Sequence, residues 1–159
     1  MPIRNILVAL AGSGASFITF KYALYISKLL NAKLFAIYVI DEKTLTDLLK
    51  ANVFVQKEVE EYKKDLENQG NSFLERVKNL SQQKDVDCRA VLLKGSVHDE
   101  ILNFAEKESI DLIIIGELKE LFSRKDIFYQ PEERILRDAK CPVIIVKNQD
   151  LVERLFKEI

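Results

Sequence analysis

A single histidine, His98, stands in the run Ser96-Val97-His98-Asp99. As a general base it would need a nucleophile and an orienting carboxylate within hydrogen-bond reach. Nothing in the spacing places adjacent Asp99 in that role, so a surface histidine in the first turn of a helix is expected. Ser96 and Asp99 resemble a capping box, with Asp where Glu or Gln is usual. Cys88 and Cys141 lie far apart, and with one histidine they give no zinc-type ligand spacing. Each falls within or at the edge of a strand-like run, where a buried inert thiol is expected. No metal site and no catalytic residue is therefore expected. Ala11-Gly12-Ser13-Gly14-Ala15-Ser16 is a small-residue turn whose free N–H groups, at a helix start, suit an anion. It lacks the full G-x-G-x-x-G spacing and the lysine of a P-loop, so a tight strand-to-helix turn accounts for its glycines.

The elements that would position these residues alternate along the chain. Ile3 to Leu10 is an apolar run without clean alternation, as in a strand covered on both faces. Ala15 to Leu30 is helical, with Phe20, Ala23, Leu24, Ser27 and Leu30 spaced by three and four. Lys33 to Ile40 is a second buried strand. Asp41 to Asn52 reads as an irregular excursion with one or two helical turns. Val55, Val59, Tyr62, Leu66, Phe73, Val77 and Leu80 then form a helical stripe. The stripe is read as a helix packed on a sheet and not a coiled-coil surface, because the repeat is short and Gly70 interrupts it. Asp87 to Lys94 is a third strand, Ser96 to Lys107 a helix, and Ile110 to Ile115 a fourth strand ending at Gly116. Pro131 to Ala139 is a short helix and Cys141 to Val146 a fifth strand. The last ten residues, with Leu151, Val152, Leu155 and Phe156, form an added amphipathic helix. This alternation predicts a doubly wound, five-stranded parallel α/β sheet with an extra C-terminal helix. Ligands of such sheets bind beyond the carboxyl ends of the strands, here Ala11 to Ser16, Asp41 to Thr44, Gly95 to Asp99 and Gly116 to Gln130.

Composition bounds the function class. The chain of 159 residues is 48% hydrophobic and 31% charged, the balance of a globular protein and not a disordered one. With 24 basic and 25 acidic side chains and no basic stripe, a dedicated nucleic-acid binder is not expected. No apolar run approaches the roughly 18 residues of a membrane span. Met1-Pro2-Ile3-Arg4 leads directly into a strand, so no export signal is expected and the expected location is cytoplasmic. The turn after the first strand lacks the acid of the S-G-G-x-D-S turn of adenylating enzymes. It also lacks the acidic residues of a phosphoacceptor receiver domain.

Asp111-Leu112-Ile113-Ile114-Ile115-Gly116, Glu133 to Ala139 and Cys141-Pro142-Val143-Ile144-Ile145-Val146 together resemble the universal stress protein family. Ile6 to Ser13 is similar to that family's first strand and turn, and Lys94-Gly95-Ser96 to its third-strand end. The resemblance implies a Rossmann-like fold of the adenine-nucleotide α-hydrolase-like type over residues 1–147, with 148–159 a helical extension of the same domain. Many members bind ATP through a loop after the fourth strand, patterned Gly, two residues, Gly, nine residues, then Gly and Ser or Thr. Laid on this chain the pattern begins at Gly116 but meets Lys119, Tyr129 and Gln130. The aspartate that often follows the first strand falls on Ala11. Val39 and Ile115 fall at the adenine end. Glycine at such positions lets N–H groups close on phosphates without a Cβ in the way. The resemblance therefore implies a non-enzymatic stress-response protein with a degenerate nucleotide site and no cofactor. The alternative it leaves is ATP or AMP binding through altered loop chemistry, with slow ATP hydrolysis. It also implies a homodimer through Cys141 to Val146, an edge strand too apolar to stay exposed.

Overall fold

The computed structural model describes residues 2–10, 14–52, 55–116 and 131–159. Strands β1 (Asn5–Leu10), β2 (Lys33–Asp41), β3 (Cys88–Gly95), β4 (Leu112–Ile115) and β5 (Val143–Ile145) form one sheet. Its order is β3-β2-β1-β4-β5, with every pair parallel. The helices are α1 (Gly14–Leu30), α2 (Glu42–Lys50), α3 (Gln56–Gln83), α4 (Val97–Lys107), α5 (Pro131–Asp138) and α6 (Gln149–Lys157). This is the expected Rossmann-like α/β architecture.

Successive strand side chains point to opposite faces, so the apolar runs supply two cores. Ile6, Val8, Leu34, Ala36 and Tyr38 face Phe20 and Leu24 of α1 and Phe73 and Val77 of α3. Leu7, Ile37, Val39 and Ile113 face Ile101 of α4 and Ile135 of α5. Each Val, Leu, Ile or Phe among them contributes roughly 1.5–3 kcal/mol when fully buried. The outer strand β3 is less covered, and its Arg89 and Lys94 are exposed.

Several expectations need correction. The segment after β2 is not irregular: α2 is a regular nine-residue helix whose Leu45 is buried. Gly70 does not interrupt α3, which runs 28 residues through it. A Cβ there would stand 2.9 Å from Leu92 Cδ1 and 3.1 Å from Tyr38 Cε1, so the missing side chain lets the helix lie close on β2 and β3. Ladder pairing of β5 is confined to three residues, flanked by Ile113 N–H donating to Pro142 O and Val146 N–H donating to Ile115 O, both at 3.0 Å.

The C-terminal helix packs on its own chain. Asn148, in the left-handed region at φ 67°, caps α6 by accepting from Leu151 N–H. Val152 is 1% exposed within the core beside α1. Lys21 Nζ lies 3.0 Å from Glu153 Oε2, and the Phe156 ring lies beneath both Lys21 and Lys84. Ser27, buried on α1, has a hydroxyl with no hydrogen-bond partner among the described residues. At the amino end of β1, Asp111 Oδ2 accepts the N–H groups of Arg4 and Asn5, each at 2.9 Å. Those bonds, Arg4's first, hold the Asp111 carboxyl below its ordinary range.

These contacts can be checked by removing them. Deleting residues 150–159 should lower Tm by about 5–10 °C, the effect of a few kcal/mol in a domain of this size; an unchanged Tm would show that α6 contributes nothing to its own subunit. A carboxylate held low stabilises the fold above its unfolded pKa of about 3.9 and loses that contribution as pH falls through the lower folded value. Asp111→Asn should therefore lower Tm at neutral pH, with the gap to the parent chain closing below about pH 4. A gap of equal size at both ends of that titration would exclude the charge as its cause.

Candidate functional site

The chain moves outward from β1 through β2 to β3, then crosses back to β4 and on to β5. The switch point lies between the carboxyl ends of β1 and β4, where a sheet of this kind opens a crevice. Leu10 and Gly116 border it from the two strands. A Cβ on Gly116 would meet Thr19 Oγ1 of α1 at 3.0 Å, so β4 ends tight against the second turn of that helix.

Of the sequence-derived site residues, Val39, Ile115 and Gly116 are described. Ala11, Lys119, Tyr129 and Gln130 lie outside the described residues. Val39 at the end of β2 and Ile115 at the end of β4 share one apolar cluster on the α4–α5 face. Ile115 is only 1% exposed and acts by packing. Val39 also borders a cavity of about 280 Å³ enclosed by the end of β2, α2 and α3. A larger groove of about 750 Å³ opens at the other end of the sheet, among Arg4, Lys28, Lys33, Asp85 and Asp87. Its charges are mixed and it is remote from the switch point.

Two buried hydroxyls of α1, one of them beside Gly116, are additions to the sequence-derived set. Ser16 and Thr19 are buried on α1 one turn apart, and neither is free. Their signal in the sequence is an i, i+3 hydroxyl pair inside the apolar run Ser16-Phe17-Ile18-Thr19. Buried hydroxyls require partners, and Thr19 Oγ1, close to Gly116, brings one of the two to the border of the crevice.

His98 is not the surface residue expected, since its side chain is 12% exposed. Nor is Asp99 out of reach: its Oδ1 lies 3.1 Å from Nε2, while Ser96 Oγ lies 3.3 Å from Nδ1. The ring is held from both nitrogens. The expected capping box is absent, because Ser96 makes no side-chain cap bond. Its hydroxyl turns to the imidazole instead. The cluster sits at the end of β3, two strands from β1, with Asp99 mostly in water, and it pins the β3–α4 turn. Gly95 completes that turn at φ 143°, where a Cβ would lie 2.6 Å from Glu100 Oε1. Only glycine fits.

Burial pushes the Tyr38 hydroxyl up, keeping it a neutral phenol. Both thiols are half-buried and raised by burial. Ser81 opposes the shift at Cys88, and Asp111 adds to it at Cys141. A thiol raised this way is a poor nucleophile at neutral pH. Among the described residues no three His, Cys, Asp or Glu side chains converge as a metal site, and no helix is long and apolar enough to cross a membrane.

Comparison with known proteins gives a consistent result. The sequence profile of the Universal stress protein family matches residues 2–147. The chain is 29% identical over 145 residues to universal stress protein MJ0531 of Methanocaldococcus jannaschii, covering 91% of this chain and 82% of that protein. Among solved structures, protein MJ0577 superposes with a TM-score of 0.73 at 22% identity, covering 93% of this chain and 98% of that one. A universal stress protein in complex with cAMP superposes at 0.67, with 16% identity and 92% and 98% coverage. One from Archaeoglobus fulgidus in complex with dAMP superposes at 0.55, with 16% identity and 92% and 100% coverage.

Proposed function

The chain belongs to the universal stress protein family, and from that premise we propose a non-enzymatic, homodimeric stress-response protein of the cytoplasm with a degenerate nucleotide site. The observation that carries this reading is the replacement of the phosphate loop's small residues by Lys119, Tyr129 and Gln130, together with Ala11 at the aspartate position. A phosphate held by backbone N–H groups needs a surface free of Cβ atoms, and the sequence has tyrosine at position 129 where the family pattern has glycine. Each hydrogen bond lost to a charged oxygen removes about 1.5–3 kcal/mol. Two or three such losses turn micromolar affinity into millimolar, at about 1.4 kcal/mol per tenfold.

A second reading keeps nucleotide binding through altered loop chemistry, with ATP or AMP as ligand and slow hydrolysis of ATP. The solved complexes of relatives with cAMP and dAMP favour its monophosphate form, which leans less on the loop. Dimerisation is supported by the position of β5 at the sheet edge and its half-buried Val143, Ile144 and Ile145. An apolar edge strand pairs with its symmetry mate in an isologous contact that satisfies both edges.

Calorimetric titration should give a millimolar Kd for Mg-ATP. A low-micromolar value would sink the degenerate-site reading, and AMP binding tighter than ATP would favour the second. The variant Ala11→Asp, Lys119→Gly, Tyr129→Gly, Gln130→Ser should gain ATP affinity over the parent. Sedimentation velocity should show a dimer that Ile145→Lys converts to monomer. A monomeric parent protein at cellular concentrations would remove the interface.

A further inference from the structure

A groove of about 420 Å³ runs along the flank of α3, lined by Tyr38, Asn68, Gln69, Ser72, Phe73 and Arg76. Asn68, Ser72 and Arg76 recur at intervals of four and Gln69 stands three before Ser72, so one stripe of the helix carries all four. Arg76 is the only charged side chain among the described lining residues. We propose that this groove binds a small aromatic carboxylate, its acid group held by the Arg76 guanidinium and its ring laid against Tyr38 and Phe73.

Arg76 is prepared for that role. Its Cζ lies 4.3 Å from the centroid of the Phe17 ring, and it makes no ion pair or side-chain hydrogen bond among the described residues. Stacking fixes one face of the guanidinium and leaves its N–H donors in the plane, where a carboxylate accepts two parallel bonds. Phe17 is fixed in turn, edge-on to Phe73 at 5.6 Å, and Phe73 lies 5.8 Å from Tyr38. Tyr38 and Phe73 are buried and close the inner side of the groove. Asn68, Gln69 and Ser72 are exposed at its rim, where their amides and hydroxyl suit polar substituents on a ligand ring. The volume falls within the roughly 300–1,000 Å³ of small-molecule sites.

The groove is distinct from the nucleotide crevice. Among the described residues, none assigned to that site lines it. Tyr38 and its neighbour Val39 point to opposite faces of β2, one into each core. Phe17 and Thr19, two residues apart on α1, project roughly 200° from each other. Phe17 meets Phe73 of α3, whereas Thr19 meets Gly116. α1 therefore stands between Arg76 and the switch point, and failure of the carboxylate site would leave the nucleotide reading untouched.

The test is a titration of the 15N-labelled protein with 4-hydroxybenzoate, with neutral 4-hydroxybenzamide and AMP as comparators. Saturable amide shifts should cluster at residues 38 and 68–76, with the acid about tenfold tighter than the benzamide, the equivalent of ~1.4 kcal/mol. Arg76→Gln, which retains a polar amide donor, should erase that preference and leave benzamide binding unchanged. Ser72→Trp, with a dispersed spectrum showing an intact fold, should abolish binding of both. Absence of saturable shifts, equal affinity for acid and benzamide, a preference that survives Arg76→Gln, or AMP shifting the same amides at lower concentration would each overturn the assignment.

Discussion

β1 is hydrogen-bonded on both edges, to β2 and to β4, and its Ile6, Leu7 and Val8 are wholly buried between two helical layers. That requirement shapes the rest of the chain. A strand in this position tolerates no polar side chain along its buried length, so chemistry can begin only where it ends. Helices must cover both faces, and those with apolar stripes do so: α1, α3 and α6 on one face, α4 and α5 on the other. The crevice beside Gly116 is then a by-product of topology, since two connections leave the same end of the sheet in opposite directions.

This constraint also explains what can be read from residues alone. Strands buried on both faces announce themselves as continuous apolar runs, as Ile6-Leu7-Val8, Leu34 to Ile40 and Leu112 to Ile115 do, and the half-buried edge strands β3 and β5 are legible from shorter apolar runs. α6 is legible too, because Val152 and Phe156 fall on one face of a short charged segment. Ends are less legible. β4 begins at Leu112 because Asp111, the residue before it, belongs to a bend in which its carboxylate gathers the N–H groups of Arg4 and Asn5. β5 is short because Pro142 has no N–H to add to a ladder. Gly70 misleads because a glycine inside a helix looks like a flaw until its neighbours across the interface, Tyr38 and Leu92, are known.

The candidate site divides in the same way. Val39, Ile115 and Gly116 fall at strand ends as expected, because strand ends follow from strand runs. The hydroxyls of Ser16 and Thr19 are harder to find, because nothing in the sequence of a helix marks which of its polar side chains will be buried. His98 is hard to judge for a related reason. Its burial depends on how the β3–α4 turn folds over it, and the two contacts that hold its ring, from Ser96 and Asp99, are local in sequence but depend on that turn. The phosphate-loop substitutions are legible as letters, whereas their energetic meaning depends on backbone geometry around a ligand.

The order of pairing has a consequence for how the protein is made. β1 is synthesised before the other strands of this sheet, yet its second neighbour, β4, begins only at Leu112. The partner that Lys21 finds in Glu153 lies 132 residues downstream. A nascent chain therefore carries a central strand with one edge open and an apolar helix lacking its cover for most of synthesis. Contacts of such separation slow folding and leave intermediates prone to association. For this chain the risk is greatest while β1 and β2 are paired and β4 is still unmade, because the exposed edge then consists of Ile6, Leu7 and Val8. That edge is covered only when β4 pairs with it, and α1 only when α6 packs over it.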